Sequence, residues 1–323
     1  MKLLVIRFSS IGDIVLTTPV IRCLKQQLVD VEIHYLTKQK FQTILSENPY
    51  IDHLHTIEKS SNEIVSKLKA LDFDYIIDLH NNIRTRTLSL KLGVKTYRFP
   101  KLNIQKWLYV RFKINRLPNL HIVDRYFEAV KSLSVINDLL PCDYYIAPKD
   151  VIDLKQRLDL DPNNYIAFAI GAQFGTKRLP NHKIKEICSK ISLPIVLLGG
   201  PEDFKNGEEI RAELTHVINA CGKFSLGQSA SIVQQAKTIM THDTGLMHIA
   251  SAFEKQIVSI WGNTTPAIGM YPYMPRKKEF RIHEVTNLNC RPCSKIGFSA
   301  CPKKHFKCME NQDIEAIVRS AIK

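Results

Sequence analysis

KLLVIRFSSIGD, residues 2–13, decides how the chain folds. Its first seven residues are apolar except for Lys2 and Arg7, as in a strand covered on both faces. SSIGD (9–13) then supplies small residues for a tight turn, and a helical pattern follows over 14–28. Further apolar runs stand at VEIHYL (31–36) and DYIIDLH (74–80). Strands alternating with helices predict parallel sheets built from βαβ units. Arg7 and Asp13 break the first run too early for the apolar core of a signal peptide, and no small-residue cleavage site follows.

The alternation fades between about 136 and 162, where Pro141, Pro148 and Pro162 fall, and resumes beyond. The chain of 323 residues is therefore divided into an N-terminal domain, 1–150, and a C-terminal domain, 151–323. YIAFAIGA (165–172), PIVLLGG (194–200), KTIMTHD (237–243) and KQIVSIWG (255–262) are the expected strands of the second domain. Helical patterns cover 202–215, 226–236 and 311–322, the last able to pack back on the N-terminal domain. Two Rossmann-like halves predict a cleft between them. Ligands in such sheets bind outside the carboxyl ends of the strands, so the loops there should carry the chemistry.

No GxGxxG and no GxxxxGK[ST] occurs, which disfavours a dehydrogenase or a P-loop NTPase. No stretch approaches the ~18 apolar residues of a membrane span. The net charge of +14 calls for an anionic partner: nucleic acid, a phosphorylated ligand or an anionic membrane face.

Three loops after strands stand out. In SSIGD, Ser9, Ser10 and Gly12 let the backbone turn, and Asp13 reads equally as a helix cap or as a general base. GAQFGTKRLP (171–180) offers Gln173, Thr176, Lys177 and Arg178 beside glycines, a combination suited to a diphosphate. THDTGLMHIA (241–250) places Asp243, Thr244 and Gly245 where a helix begins, with His248 one turn inside. Helix starts bind anions through free N–H groups and the dipole. Read plainly, Asp243 is a cap and His248 a buried histidine. In GGPED (199–203), Glu202 or Asp203 could bond ribose hydroxyls, or cap a helix.

SSIGDIVLTTP (9–19), GAQFGTKRLP, HDTGLMHIASAF (242–253) and SIWGNTTP (259–266) together resemble the ADP-heptose:lipopolysaccharide heptosyltransferases, glycosyltransferase family 9. The resemblance implies the GT-B fold, two Rossmann-like domains with parallel sheets facing across a cleft. It implies an inverting transfer of heptose from ADP-heptose to the lipopolysaccharide inner core, without a metal or other cofactor. It implies an N-terminal domain for the acceptor and a C-terminal domain for the nucleotide sugar. Asp13 falls on the family's base, with Ser9, Ser10 and Gly12 near the acceptor. Lys177 falls on its donor-binding lysine, and Asp243, Thr244, Gly245 and His248 on its diphosphate and sugar contacts. Gln173 stands where some members have Thr, Thr176 lies beside the lysine, and Glu202 becomes a ribose contact. Another nucleotide-sugar donor on the same fold and a basic nucleic-acid-binding protein are the alternatives, although no nucleic acid partner is expected on the family reading.

Cys290, Cys293, Cys301 and Cys308 form C-x2-C-x7-C-x6-C around His305, a spacing that resembles a structural zinc knuckle. Reduced thiols packing a loop, or a disulfide, are the other readings. Residues 84–116 carry ten Lys or Arg and no Asp or Glu, with Trp107, Tyr109 and Phe112 interleaved. That pattern suits an anionic membrane surface, predicting a cytoplasmic protein docked by its N-terminal domain on the inner face of the membrane. A solvated helix with its aromatics in the core would give the same pattern.

Overall fold

The computed structural model describes residues 1–277 and 279–323. Along the chain run β1 (Lys2–Ile6), α1 (Ile11–Val15), α2 (Thr18–Gln27), β2 (Glu32–Lys38), β3 (His53–Ile57), α3 (Val65–Lys69), β4 (Tyr75–Asp78), α4 (Ile83–Leu92), β5 (Thr96–Arg98), α5 (Asn103–Phe112) and α6 (Ile122–Phe127). There follow α7 (Leu154–Leu158), β6 (Ile166–Ala169), α8 (Asn181–Ser189), β7 (Ile195–Leu198), α9 (Phe204–Arg211), β8 (Val217–Asn219), α10 (Leu226–Gln235), β9 (Thr238–His242), α11 (Gly245–Ala252), β10 (Gln256–Trp261), β11 (Phe280–Glu284), α12 (Lys307–Glu310) and α13 (Ile314–Ile322).

The chain forms two compact units. The first holds Met1–Leu102 and Leu120–Ala147, the second Asn103–Asn119 and Pro148–Lys323. In the first, the parallel sheet has the order β3-β2-β1-β4-β5. Leu3, Leu4, Val5 and Ile6 of β1 are fully buried, because a central parallel strand is covered on both faces. Each such side chain contributes about 1.5–3 kcal/mol of burial. The helix expected over 14–28 is broken in two: α1 ends at Val15, and α2 restarts at Thr18 with Pro19 in its first turn, where no N–H is needed.

The second sheet has the order β11-β10-β9-β6-β7-β8, also parallel. Chain order reverses between β1 and β4 in the first sheet and between β6 and β9 in the second. Those are the switch points at which doubly wound sheets bind ligands.

Side chains explain where the units part. Arg22 on α2, 3% exposed, pairs with Asp138 at 2.8 Å and with Asp143, holding the segment after α6 on the first unit. A few residues on, Asp150 accepts from Ser225 Oγ at 3.0 Å in the second.

Ile314, Ile317, Val318 and Ala321 of α13 join the core of the second unit. The aromatic half of the basic stretch also belongs to that unit. Lys113 donates to the carbonyls of Pro292 at 2.7 Å and Cys290 at 3.2 Å, fixing the end of α5 there. No residue of α5 is buried, so its aromatics do not enter the core.

Candidate active-site loops

In the first unit, the loops after β1 and β4 flank the switch point. Arg7, 8% exposed, ties them together, donating to Leu79 O at 2.5 Å and to Ser9 O at 2.8 Å. Its remaining nitrogen meets Asp13 Oδ1 at 2.5 Å. Burial pulls the Arg7 guanidinium toward the neutral form, but the charge and hydrogen bond of Asp13, together with Tyr126 and Tyr35, outweigh it and hold the pKa above the ordinary value. The other Asp13 oxygen accepts from Ser10 Oγ at 2.8 Å and Ser10 N at 3.2 Å. Asp13 is therefore both the closing residue of the α1 capping box and an oriented, partly exposed carboxylate. The cap reading of Asp13 is thus compatible with an accessible carboxylate. Ser9 contributes a carbonyl to Arg7, and Gly12 is buried beneath the turn.

Arg7 was not singled out from the sequence, nor was His80 in the loop after β4. His80 is 9% exposed, its Nδ1 has no hydrogen-bond partner among the described residues, and burial presses its pKa down to about 3. It is a neutral imidazole beside the Asp13 loop.

In the second unit, the loops after β6 and β9 meet at the switch point. Lys177 Nζ lies 2.6 Å from Asp243 Oδ2 and 3.3 Å from Asp243 O. An ammonium has three donors, so one remains for a ligand. Thr264 Oγ1, from the loop after β10, donates to Asp243 Oδ2 at 3.1 Å. Asp243 stands one residue before the cap of α11; the cap is Thr244, which makes no side-chain cap hydrogen bond. Thr244 Oγ1 instead meets Thr241 Oγ1 at 3.2 Å. Gly245 begins α11, so the N–H groups of the helix start flank the lysine. His248 is 2% exposed, in keeping with the plain reading of a buried histidine.

Two polar side chains of the lysine loop hold its structure. Thr176 is 1% exposed; its Oγ1 donates to Phe298 O at 3.0 Å and accepts from Phe298 N at 2.8 Å. Arg178 donates to Ala172 O at 2.7 Å and pairs with Asp203 at 3.0 Å. Lys177 and Arg178 are thus both anchored, each with N–H donors to spare. Asp203, 2% exposed, also accepts from Gly200 N at 3.0 Å, whereas Glu202 and Gln173 are exposed. A Cβ at Gly171 would sit 2.2 Å from Asp203 Oδ2, so only glycine fits.

Two further residues escaped the sequence reading. His242 accepts from Leu179 N at 3.0 Å, pinning the lysine loop to β9, and burial lowers its pKa to about 3. Asn263, after β10, is 2% exposed, with both amide atoms unpartnered among the described residues.

The eight cysteines are free thiols. Burial pushes Cys293 up to about 11 and Cys308 up to about 12, so these thiols stay protonated at neutral pH. Cys290 Sγ lies 3.8 Å from His305 Nε2. Among the described residues, no three of these groups bring ligand atoms within 4.8 Å of one another.

Two doubly wound parallel sheets, with polar side chains gathered at both switch points, are the architecture of the GT-B glycosyltransferases, and this enzyme is one of them. It belongs to glycosyltransferase family 9 (heptosyltransferase), whose family model matches residues 62–300. The chain is 24% identical over 294 residues to lipopolysaccharide heptosyltransferase 1 of Campylobacter coli, covering 82% of this chain and 84% of that one. Its fold matches a family 9 glycosyltransferase from Veillonella parvula with a TM-score of 0.72 at 24% identity, over 87% and 85% of the two chains. It also matches the E. coli heptosyltransferase WaaC with ADP-2-deoxy-2-fluoro heptose, with a TM-score of 0.66 at 19% identity, over 87% and 92%.

Proposed function

We propose that this enzyme transfers heptose from ADP-heptose to the inner core of lipopolysaccharide, with inversion at the anomeric carbon. The observation that carries the reading is the Lys177–Asp243 pair beside the start of α11, at the switch point of the second sheet. A diphosphate placed there meets one ammonium donor and a helix amino end, both favouring negative charge. Support for heptose comes from the relatives: one is named a lipopolysaccharide heptosyltransferase, and the WaaC structure holds an ADP-fluoroheptose. In the first unit, Asp13 takes the proton of the acceptor hydroxyl. The hydroxyl oxygen bonds to the anomeric carbon, the bond from that carbon to the phosphate oxygen breaks, and ADP leaves with the electron pair. Lys177 and the α11 amino end stabilise the charge growing on ADP, a role they can fill without a metal. Gln173 and Glu202, both exposed, are free to meet the donor, Glu202 at the ribose.

Calorimetric titration with ADP, UDP and GDP tests the donor. ADP is expected to bind at least about tenfold more tightly than the others, a difference of about 1.4 kcal/mol. A preference for UDP or GDP would remove the heptose assignment and leave the fold class standing.

An acceptor anchored in a membrane asks for an enzyme that visits one. No described helix is long and apolar enough to cross a membrane. On α5, however, Ile104 is 73%, Trp107 57% and Phe112 52% exposed, next to Lys106, Arg111 and Lys113. Aromatic and aliphatic side chains among cations suit the anionic cytoplasmic leaflet. Co-sedimentation with anionic liposomes at low salt is expected for the native chain and should fall severalfold in Trp107→Glu/Phe112→Glu. Equal sedimentation of the two would remove α5 as the docking element.

A further inference from the structure

At the other end of the first sheet from Asp13, β2 and β3 form its free margin. Their register pairs His34 with His53 and Leu36 with His55. Side chains alternate along a strand, so Glu32, His34, His53 and His55 share one face. Two imidazoles aim at one carboxylate oxygen there. His34 Nε2 lies 3.0 Å and His53 Nε2 2.9 Å from Glu32 Oε1. The three ligand atoms all lie within 4.8 Å of one another, the only such group among the described residues.

His34 is 2% exposed, stacks on His53 at 4.4 Å and meets the edge of Phe73 at 4.9 Å. His34 Nδ1 lies 2.9 Å from His55 Nε2, which holds the ring plane of His34 as outer partners of metal-bound histidines do.

We infer that Glu32 Oε1, His34 Nε2 and His53 Nε2 bind one divalent transition cation of the zinc class. Bonds of about 2.0–2.2 Å in a tetrahedral site place ligand atoms about 3.3 Å apart. The present separations of 2.9 and 3.0 Å need open only slightly. Imidazole ligands select zinc, nickel or copper over calcium and magnesium, which take oxygen. His53, more than half exposed, leaves the fourth position to water. The cation would staple the edge strand β3 to β2, where an unpaired strand edge is otherwise open.

The test is a titration of the reduced full-length chain with Co2+ and with Zn2+ alone. One site is expected, with the absorption of nitrogen and oxygen ligands. Its affinity should fall about 100-fold or more in His53→Ala and in Glu32→Gln, since even an outer partner is worth about 10–100-fold. It should be unchanged in Cys290→Ser/Cys293→Ser. Zn2+ should raise Tm in the native chain and not in His53→Ala, whose exposed side chain makes the fold safe to keep. Absence of binding would overturn the site. So would a thiolate-to-cobalt charge-transfer band that persists in His53→Ala.

Discussion

Asp13→Asn is expected to lower kcat by about 10²–10⁴, the scale of a positioned general base. The donor KM should change little, because Asp13 stands in the first unit and Lys177 in the second. Asparagine keeps the size of the side chain and an oxygen for Ser10, so the α1 cap is largely kept. What it loses is the proton-accepting charge and the ion pair with Arg7, which is 8% exposed. A buried cation stripped of its partner is costly, so some loss of thermal stability should accompany the kinetic loss. Ser10→Ala separates the two effects: it removes the hydroxyl that Asp13 accepts from but leaves the carboxylate and its pair with Arg7, so its loss of kcat should be far smaller. Steady-state kinetics and melting curves on both variants give the answer. If Asp13→Asn turns over within tenfold of the native rate, Asp13 is a cap and nothing more.

Lys177→Ala should weaken ADP binding about 10–100-fold, since a hydrogen bond to a charged group contributes about 1.5–3 kcal/mol. The loss in kcat should be larger, about 10²–10³, because the charge on the leaving ADP grows toward the transition state. Removing the ammonium also leaves Asp243 unneutralised where a diphosphate should sit. Its carboxylate, now joined among the described residues by Thr264 alone, becomes repulsive. Asp243→Asn in the Lys177→Ala background should therefore recover part of the ADP affinity. Lys177→Arg is no substitute control, since a planar fork cannot reproduce a point charge. Calorimetry with ADP decides: native affinity in Lys177→Ala would place the diphosphate elsewhere.

Much of this was open to reading from the sequence, for a physical reason. Buried parallel strands are continuous apolar runs, so β1, β2, β4, β6, β7, β9 and β10 announce themselves. The margins are quieter. β3, β5, β8 and β11 are short or half-covered, and HLHTI (53–57) with its two histidines does not look like a strand. Charged candidates at loop starts, such as Asp13, Lys177 and Asp243, carry a local signature. Thr176 and Arg178 carry the same signature, yet Phe298 and Asp203 take their polar atoms. Those partners lie 122 and 25 residues away, and only the folded chain brings them near. Arg7 failed to register because it sits inside a strand-like run, where an arginine looks like an interruption.

The bonds between Thr176 and Phe298 bear on how such enzymes can be recombined. A Cβ at Gly175 would lie 2.3 Å from Ser299 O, and one at Gly297 2.6 Å from the Phe174 side chain. The lysine loop and the cysteine-bearing segment thus fit as one piece, although they are far apart in sequence. A chimera that borrows residues 171–180 from a relative must borrow 293–301 with them, and the two segments should vary together wherever this architecture is inherited.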